Sequence, residues 1–201
     1  MLVKEKFCRF ILNNKFFFFN IFFIYFLATG VSSADLQKKL INKLTGIKTL
    51  SFDFEQEISN IKEIGNCVIK YPLLMKCNYQ DKKQKTIISN GKKVAIIKKK
   101  YKKIYTYPIK ITPFSFILEK ENIINLIRES EGAKVNDNLI VFEFFKNKSN
   151  IKIFFDTNSL NLKGWKTKDA YSNNVNFLIK NLKFNKQFSD DFFNIPVESD
   201  L

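Results

Sequence analysis

Short segments in which apolar and polar residues alternate recur along most of this chain, and this alternation restricts it to a mainly β fold. In residues 50–57 the even positions hold Leu50, Phe52, Phe54 and Gln56, whereas the odd positions hold a serine and three acids. A period of two is typical of a strand with one buried face. Similar segments cover approximately residues 63–70, 75–80, 85–89, 93–97, 101–107, 138–145, 151–156, 160–168 and 175–183. Short strands at such regular intervals predict an antiparallel sheet or barrel.

Helical periodicity interrupts the strand pattern in three places. Residues 35–47 place leucine and isoleucine along one stripe, which predicts an amphipathic helix. Residues 112–114, Thr-Pro-Phe, combine an N-cap residue with a proline at the first helical position. Residues 121–128 repeat isoleucine at helical spacing. We find no internal repeat or linker, so the sequence predicts one domain of ten or eleven strands with three helical pieces.

The first 34 residues have the three parts of a secretory signal peptide. Basic residues precede an apolar run, Phe16–Leu27, and small residues follow it, with Ser32 and Ala34 in the pattern of a cleavage site. An uncleaved membrane anchor is the alternative, but this run is shorter than the ~20 residues of a typical span. A lipoprotein signal would need a cysteine at the cleavage site, and there is none. We therefore expect a signal peptide at residues 1–34 and a single exported domain at residues 35–201.

The chain is strongly basic, with a formal net charge of +15. The leader accounts for only three of these charges, because it holds four basic residues and one acid. Lysines are dense in residues 92–108, KKVAIIKKKYKKIYTYP, where tyrosines lie among them. Such a run can bind nucleic acid by charge and stacking, which makes an exported polyanion-binding protein one alternative. Strand periodicity favours instead a hairpin with a lysine-rich tip, and export separates the chain from nucleic acid.

Recognised catalytic and metal-binding patterns are missing from the sequence. The chain has no histidine, the commonest general base and metal ligand. It also lacks G-x-S-x-G, a glycine-rich phosphate loop and C-x-x-C. We interpret Asp53, Glu55 and Glu57 as the solvated face of a strand, and Trp165 as a packing residue. The sequence therefore predicts a protein that is not an enzyme and holds no metal.

Several short motifs, in order along the chain, match those of a known family. They are F-E-Q at 54–56, Gly65, Y-P at 71–72, IISNGKKV at 87–94, P-I at 108–109, TPFSFIL at 112–118, F-D at 155–156, WKTKDA at 165–170, Phe188, F-F at 192–193 and I-P at 195–196. Each motif is short. Their order and spacing behind a signal peptide resemble the LolA family of periplasmic outer-membrane lipoprotein carriers, and the C-terminal half resembles the version common in alphaproteobacteria.

This resemblance implies both a fold and a function. The implied fold is mainly β with α: an incomplete, strongly curved antiparallel barrel of about eleven strands, with helices forming a lid over the open side. The implied protein is a non-catalytic periplasmic carrier, expected as a monomer without a cofactor. It would take acylated lipoproteins from an inner-membrane LolCDE-like ABC transporter and deliver them to an outer-membrane LolB-like receptor. Another lipid- or lipoprotein-binding or sensing protein of the LolA/LolB fold is the alternative.

A carrier of acyl chains needs a large apolar concavity, because each buried methylene contributes only ~0.8 kcal/mol. The chain has 23 phenylalanines, many at alternating strand positions, which can line such a concavity or simply fill a core. The expected acyl-contacting residues lie on the first strand, around the Pro72 turn and on the lid. They are Leu50, Phe52, Phe54, Tyr71, Met75, Phe114, Ile117 and Leu118.

Two further expectations concern the strand pair that meets at Pro72. Tyr71 stands where better-known relatives have an arginine that connects the lid to the barrel, so the several hydrogen bonds that an arginine donates are absent here. Cys67 and Cys77 lie on either side of the turn, and a hairpin would place them nearly opposite each other. We therefore expect that they can form a disulfide if both side chains point to one face.

Overall fold

Eleven strands form the framework of the computed structural model, which describes residues 33–130, 134–146, 149–168 and 172–201. The strands are β1 (Thr49–Ile58), β2 (Ile61–Lys70), β3 (Leu74–Tyr79), β4 (Lys85–Asn90), β5 (Lys93–Lys98), β6 (Lys103–Pro108), β7 (Lys134–Asn136), β8 (Leu139–Lys146), β9 (Ser149–Asp156), β10 (Leu162–Lys168) and β11 (Asn174–Phe184). The α-helices are α1 (Ser33–Thr45), α2 (Phe114–Ile117) and α3 (Lys120–Glu129).

All eleven strands belong to one antiparallel sheet in the order β6-β5-β4-β3-β2-β1-β11-β10-β9-β8-β7. Each strand lies beside its neighbour in sequence, except that β1 pairs with β11 and that β6 and β7 are the two outer strands. The sheet is therefore an unclosed barrel. The chain between β6 and β7 contains α2 and α3, which we call the lid. The predicted fold, an incomplete antiparallel barrel with a helical lid, is confirmed.

The register between strands defines the inner, concave face of the sheet. Phe52 of β1 lies opposite Cys67 of β2, which lies opposite Cys77 of β3, which in turn lies opposite Ile87 of β4. Directly paired residues point to the same side of a sheet. These four side chains therefore form one buried row across four strands, and this row supports the site described below.

The part of the concave face on β8 and β9 packs against α1 and α3. Phe142 of β8 lies opposite Ile153 of β9, and both belong to one buried cluster with Leu40 of α1 and Ile127 of α3. The side-chain amide of Gln37 also donates a hydrogen bond to the carbonyl of Ile127. The two longer helices are thus fastened to each other and to this half of the sheet.

The outer, convex face is partly covered by the C-terminal segment, residues 185–201. Phe193 is fully buried, and Lys70 of β2 forms an ion pair of 2.5 Å with Asp190. The ammonium of Lys76 on β3 lies 4.6 Å from the centroid of the Phe192 ring. The C-terminal segment is therefore held to the middle of the sheet by apolar burial and by two lysines.

The N-cap residue of α2 is Pro113 rather than the expected Thr112, and three further details differ from the prediction made from the sequence. α1 begins at Ser33, so its first turn contains the last residues of the expected signal peptide. Lys99–Tyr101 form a 3-10 turn rather than the start of a strand, because Lys102 adopts a left-handed conformation (φ 49°) and β6 begins only after it. β7 was not predicted, since its three residues are all exposed and lack an apolar face.

Residues 33–201 form one compact unit. Most of the expected signal peptide, residues 1–32, lies outside the described residues and remains a prediction. None of the described helices is long and apolar enough to cross a membrane.

Candidate functional site

A partly open cavity of about 190 Å³ lies between α2 and the concave face of the sheet. We call it the inner cavity. Its described lining is mostly apolar and contains no acid. The lining residues are Phe52, Gln56, Ile58, Cys67, Ile69, Met75, Cys77, Tyr79, Ile87, Pro113, Phe114, Ile117, Trp165, Thr167, Lys168, Val175 and Phe177.

Stacked aromatic rings form the wall of the inner cavity on β1, β10 and β11. Trp165 and Phe177 stack with ring centroids 4.0 Å apart, and Phe177 stacks in turn on Phe54 at 5.0 Å. Phe52 meets the edge of Phe177 at 6.3 Å. Stacked and edge-to-face arrangements are the favourable geometries for aromatic pairs, so these rings form one packed apolar wall.

A second cavity of about 350 Å³, the outer cavity, lies beside the first. It extends from the lid region to Lys110 and Ile111, which follow β6. The concavity thus continues from under the lid to the segment after β6, with a lining of both polar and apolar residues. The two cavities share three residues of β10 and two of the lid region, which are Trp165, Thr167, Lys168, Pro113 and Ile117.

Polar groups close one end of the inner cavity. Gln56 donates a hydrogen bond of 3.0 Å to the carboxylate of Glu63, and Lys85 forms an ion pair of 2.5 Å with the same group. The ammonium of Lys85 also lies 3.8 Å from the centroid of the Tyr79 ring. Burial, with the nearby carboxylates of Glu63 and Asp81, raises the pKa of the Tyr79 hydroxyl. This end therefore holds the few polar groups that can orient a mostly apolar ligand.

Among the described residues, the polar contacts between the lid and the rest of the fold involve a backbone amide and a lysine rather than an arginine. The amide of Leu73, in the turn before β3, donates a hydrogen bond of 3.0 Å to the carbonyl of Leu118. Lys120 donates hydrogen bonds of 2.9 Å to the carbonyls of Thr45 and Ile47. The ring of Tyr71 lies near this ammonium, which is 5.9 Å from the ring centroid. Lys120 therefore makes the connection that the resemblance assigned to an arginine at position 71.

The structure brings together six of the ten residues proposed from the sequence. Of the acyl-site candidates, Phe52, Met75, Phe114 and Ile117 line the inner cavity, and so do both cysteines. The register places Cys67 directly opposite Cys77, with 4.0 Å between their Cα atoms and a bond between their sulfurs.

The other four candidates lie elsewhere. Leu50 and Tyr71 line a separate cavity of about 20 Å³ near the end of α1. Phe54 and Leu118 are buried in the core and line neither of the two larger cavities. Burial raises the pKa of the Tyr71 hydroxyl, so this group stays neutral over a wide pH range. The roles of all ten residues in binding remain predictions.

Residues of β10 and β11 contribute to the site and were missed by the sequence reasoning. Trp165 was interpreted only as a packing residue, and Phe177 and Val175 were not considered. All three occupy concave-face positions, as the pairing of Trp165 with Phe177 shows. Alternation of apolar and polar residues in 174–184 indicates that Phe177 lies on the apolar face of its strand. Nothing in the sequence, however, places β11 beside β1.

Comparison with known proteins identifies the family. Residues 45–196 match the family profile described as outer membrane lipoprotein carrier protein LolA. The chain belongs to the LolA family. The match starts at the end of α1 and includes every strand, the lid and all ten candidate residues. No curated protein sequence matches the chain significantly.

Several solved structures are similar to this chain at low sequence identity. An uncharacterized conserved protein from Thermus thermophilus is 7% identical with a TM-score of 0.51, and the match covers 82% of this chain and 95% of that one. A LolA superfamily protein from Nitrosomonas europaea is 6% identical, with a TM-score of 0.45 and coverage of 83% and 99%. The MucA/MucB complex of Pseudomonas aeruginosa matches at 9% identity, with a TM-score of 0.46 and coverage of 83% and 62%.

Proposed function

We propose that this protein is a periplasmic carrier that binds the acyl chains of lipoproteins in the inner cavity. The observation that carries the proposal is a mostly apolar cavity between a curved sheet and a lid, in a chain of the LolA family. The protein would receive lipoproteins from a LolCDE-like transporter of the inner membrane and release them to a LolB-like receptor of the outer membrane. It would act as a monomer and without catalysis. Its sequence would be of the type common in alphaproteobacteria.

The size of the cavity requires that the lid moves during loading. Ligand pockets commonly measure ~300–1,000 Å³, whereas the inner cavity measures about 190 Å³. The moving part would be α2, whose four residues are all partly exposed, whereas α3 is held by its buried cluster with α1 and the sheet. Ten buried methylenes contribute about 8 kcal/mol, which can offset the loss of the contacts that α2 makes with the sheet.

Export of the chain is the second requirement of the proposal. The basic, apolar and small-residue parts of the leader support it. Cleavage after Ala34 would remove two residues from the first turn of α1 and leave the helix otherwise intact. N-terminal sequencing or mass spectrometry of the protein from a periplasmic extract would locate the mature N-terminus, and retention of residues 1–34 would contradict this part of the proposal.

The decisive experiment is to express the full chain in a Gram-negative host together with an outer-membrane-type lipoprotein. The mature protein is purified from the periplasm, and copurifying lipopeptides are identified by mass spectrometry. The purified protein is then added to spheroplasts, and released lipoprotein is measured. A carrier captures the acylated form and releases it from spheroplasts. Binding without release would support the alternative of a lipoprotein-binding or sensing protein. If the protein showed neither binding nor release, both hypotheses would be contradicted.

A matched pair of variants links binding to the inner cavity. Phe114→Asp places a carboxylate on the underside of the lid, where burial of the charge opposes closure over an acyl chain. Phe145→Asp makes the same chemical change at a side chain that is 79% exposed and lies outside both cavities. We expect the first variant to lose copurifying lipoprotein and the second to retain it, and equal losses would contradict the assignment of the site.

A further inference from the structure

Positive charge is concentrated in one continuous part of the chain. Residues 82–118 contain eleven lysines and no aspartate or glutamate. This stretch forms β4, β5 and β6, the 3-10 turn Lys99–Tyr101 and the start of the lid. Because β6 is an outer strand of the sheet, the positive charge is gathered along one side of the molecule.

The lysines on this side have few acidic partners. In the described part of the chain, only Lys85 and Lys103 of this stretch form ion pairs, with Glu63 and Glu198. The remaining nine lysines have no carboxylate within ion-pair distance among the described residues. Charges that are not neutralised within the protein can attract an anionic surface.

Exposed apolar side chains follow the same side. Tyr101 and Ile111 are 53% and 74% exposed, and Tyr105 and Tyr107 are also exposed along β6. Tyr105 and Tyr107 lie opposite Ile96 and Val94 of β5, so they extend the concave face beyond the reach of the lid. Tyrosine is favoured where a protein meets the interface between lipid and water.

We propose that the surface formed by residues 98–111, the basic edge, docks on a bilayer that contains anionic phospholipids. Clusters of four to eight lysines recognise such a surface, and their attraction acts within a Debye length of ~8 Å at physiological salt. The exposed tyrosines and Ile111 would enter the interface while the lysines remain at the level of the phosphates.

Two observations favour a bilayer over a nucleic acid as the partner. Ile111 is aliphatic and highly exposed, so it can insert among acyl chains but cannot stack on a base. Lys110 and Ile111 also line the outer cavity, which shares lining residues with the mostly apolar inner cavity. Docking of the basic edge would therefore bring the outer cavity to the membrane surface. The inference does not require a lipoprotein, so it stands or fails separately from the proposed carrier function.

The test is cosedimentation of the mature protein with vesicles of phosphatidylcholine, alone or mixed with phosphatidylglycerol. We expect binding only to the mixed vesicles, and most of it should be lost between about 0.1 M and about 1 M salt, where the Debye length falls from ~10 Å to ~3 Å. Equal binding to both kinds of vesicle would overturn the proposal. So would binding to a single-stranded oligonucleotide with none to the mixed vesicles.

Two triple variants with the same loss of charge localise the effect. The first variant combines Lys99→Gln, Lys100→Gln and Lys102→Gln and removes three positive charges from the basic edge. The second combines Lys38→Gln, Lys163→Gln and Lys183→Gln and removes three exposed positive charges from α1, β10 and β11. Each lysine near an anionic surface raises the partition coefficient of a protein onto the membrane about fivefold, so the first variant should bind roughly a hundredfold more weakly. The second should bind much like the wild type, and an equal loss in both would overturn the proposal.

Ile111→Ser tests the apolar contact without changing the charge. This side chain is mostly exposed, so its replacement leaves the fold intact. The variant should bind the mixed vesicles more weakly than the wild type at about 0.1 M salt, with the same dependence of binding on salt. Unchanged binding under this condition would overturn the assignment of Ile111 to the lipid interface.

Discussion

The ammonium of Lys120, the first residue of α3, donates a hydrogen bond of 2.9 Å to the carbonyl of Ile47, two residues before β1. It donates a second, also 2.9 Å long, to the carbonyl of Thr45 at the end of α1. The last carbonyls of a helix carry partial negative charge and favour a cation. One side chain thus joins the lid, the end of α1 and the start of the sheet.

Replacement of this lysine is expected to loosen the lid. Lys120→Met keeps most of the aliphatic side chain but removes two hydrogen bonds from a charged donor, so the free energy of unfolding should fall by about 1–3 kcal/mol. Urea denaturation measures this change, and hydrogen exchange of the amides of Leu73 and Leu118 reports opening of the lid. Both amides should exchange faster in the variant.

The control for this prediction is Lys38→Met, which changes an exposed lysine of α1. It should leave both stability and exchange nearly unchanged. If Lys120→Met matched this control in both measurements, Lys120 would not be the connection that holds the lid.

How much of the structure was predictable differs between the sheet and the lid. Strands were predictable because alternation in segments such as residues 50–57 is a local property, and Phe52 and Cys67 lie on the concave face as their positions require. The contacts of the lid are different in kind. Lys120 reaches a carbonyl 73 residues away in sequence, and no local pattern specifies such a pair.

Non-local contacts also decide which residues of the concave face line the inner cavity. Leu50, Phe52 and Phe54 share one face of β1, and all three are buried. Of these three, only Phe52 lines the inner cavity, because the rings of Phe177 and Tyr79 pack against Phe54 and Leu50 lines the separate cavity near α1. Packing against other strands therefore selects the lining, and alternation alone cannot reveal it.

The disulfide between Cys67 and Cys77 is a prediction for the mature, exported protein. The closed loop of about ten residues should stabilise the fold by about 2–3 kcal/mol through the entropy of the unfolded chain. Peptide mass mapping should show the two cysteine peptides joined, with separation only after reduction. Equal masses before and after reduction would refute the bridge, and Cys67→Ala with Cys77→Ala should lower stability by the stated amount.

Gly65 is expected to tolerate no side chain. A Cβ at this position would lie 2.7 Å from Cζ of Phe54 and would also meet the carbonyl of Asn78. Gly65→Ala should therefore lower the free energy of unfolding by about 1–3 kcal/mol, as overpacking of a core does. Gly46→Ala is the matched control, because the nearest atom to its Cβ is the Lys43 carbonyl oxygen at an ordinary 3.6 Å. Equal urea midpoints for the two variants would contradict the close approach.

The turn between β9 and β10 should depend on pH through Asp156. Hydrogen bonds from the Ser159 amide and hydroxyl, followed by the Asn158 amide, lower the pKa of its carboxyl group. A carboxyl group with a lowered pKa in the folded state stabilises the fold above its unfolded pKa of ~3.9, and this contribution is lost as the pH falls through the lowered value. The melting temperatures of wild type and Asp156→Asn should therefore differ near neutral pH and converge on acidification. If the difference in melting temperature did not change with pH, the ionisation of Asp156 would not contribute to stability.

The only tryptophan of the chain gives a direct report on occupancy of the site. Trp165 lines both cavities and stacks on Phe177, so bromine atoms on a bound acyl chain would contact its ring. A lipopeptide with brominated acyl chains should quench the fluorescence of the mature protein in a saturable way. The same lipopeptide without bromine should not quench, and the acyl-free peptide should neither quench nor compete.

A relocated tryptophan distinguishes binding in the cavity from contact elsewhere. In Trp165→Phe combined with Phe145→Trp, the reporter moves to a largely exposed position outside both cavities, while an aromatic ring remains opposite Phe177. Binding should persist in this variant, as measured by competition with the wild type, but brominated chains should no longer quench. If the relocated tryptophan were quenched as strongly as Trp165 is in the wild type, the acyl chains would lie on the surface, and the inner cavity would not be their site.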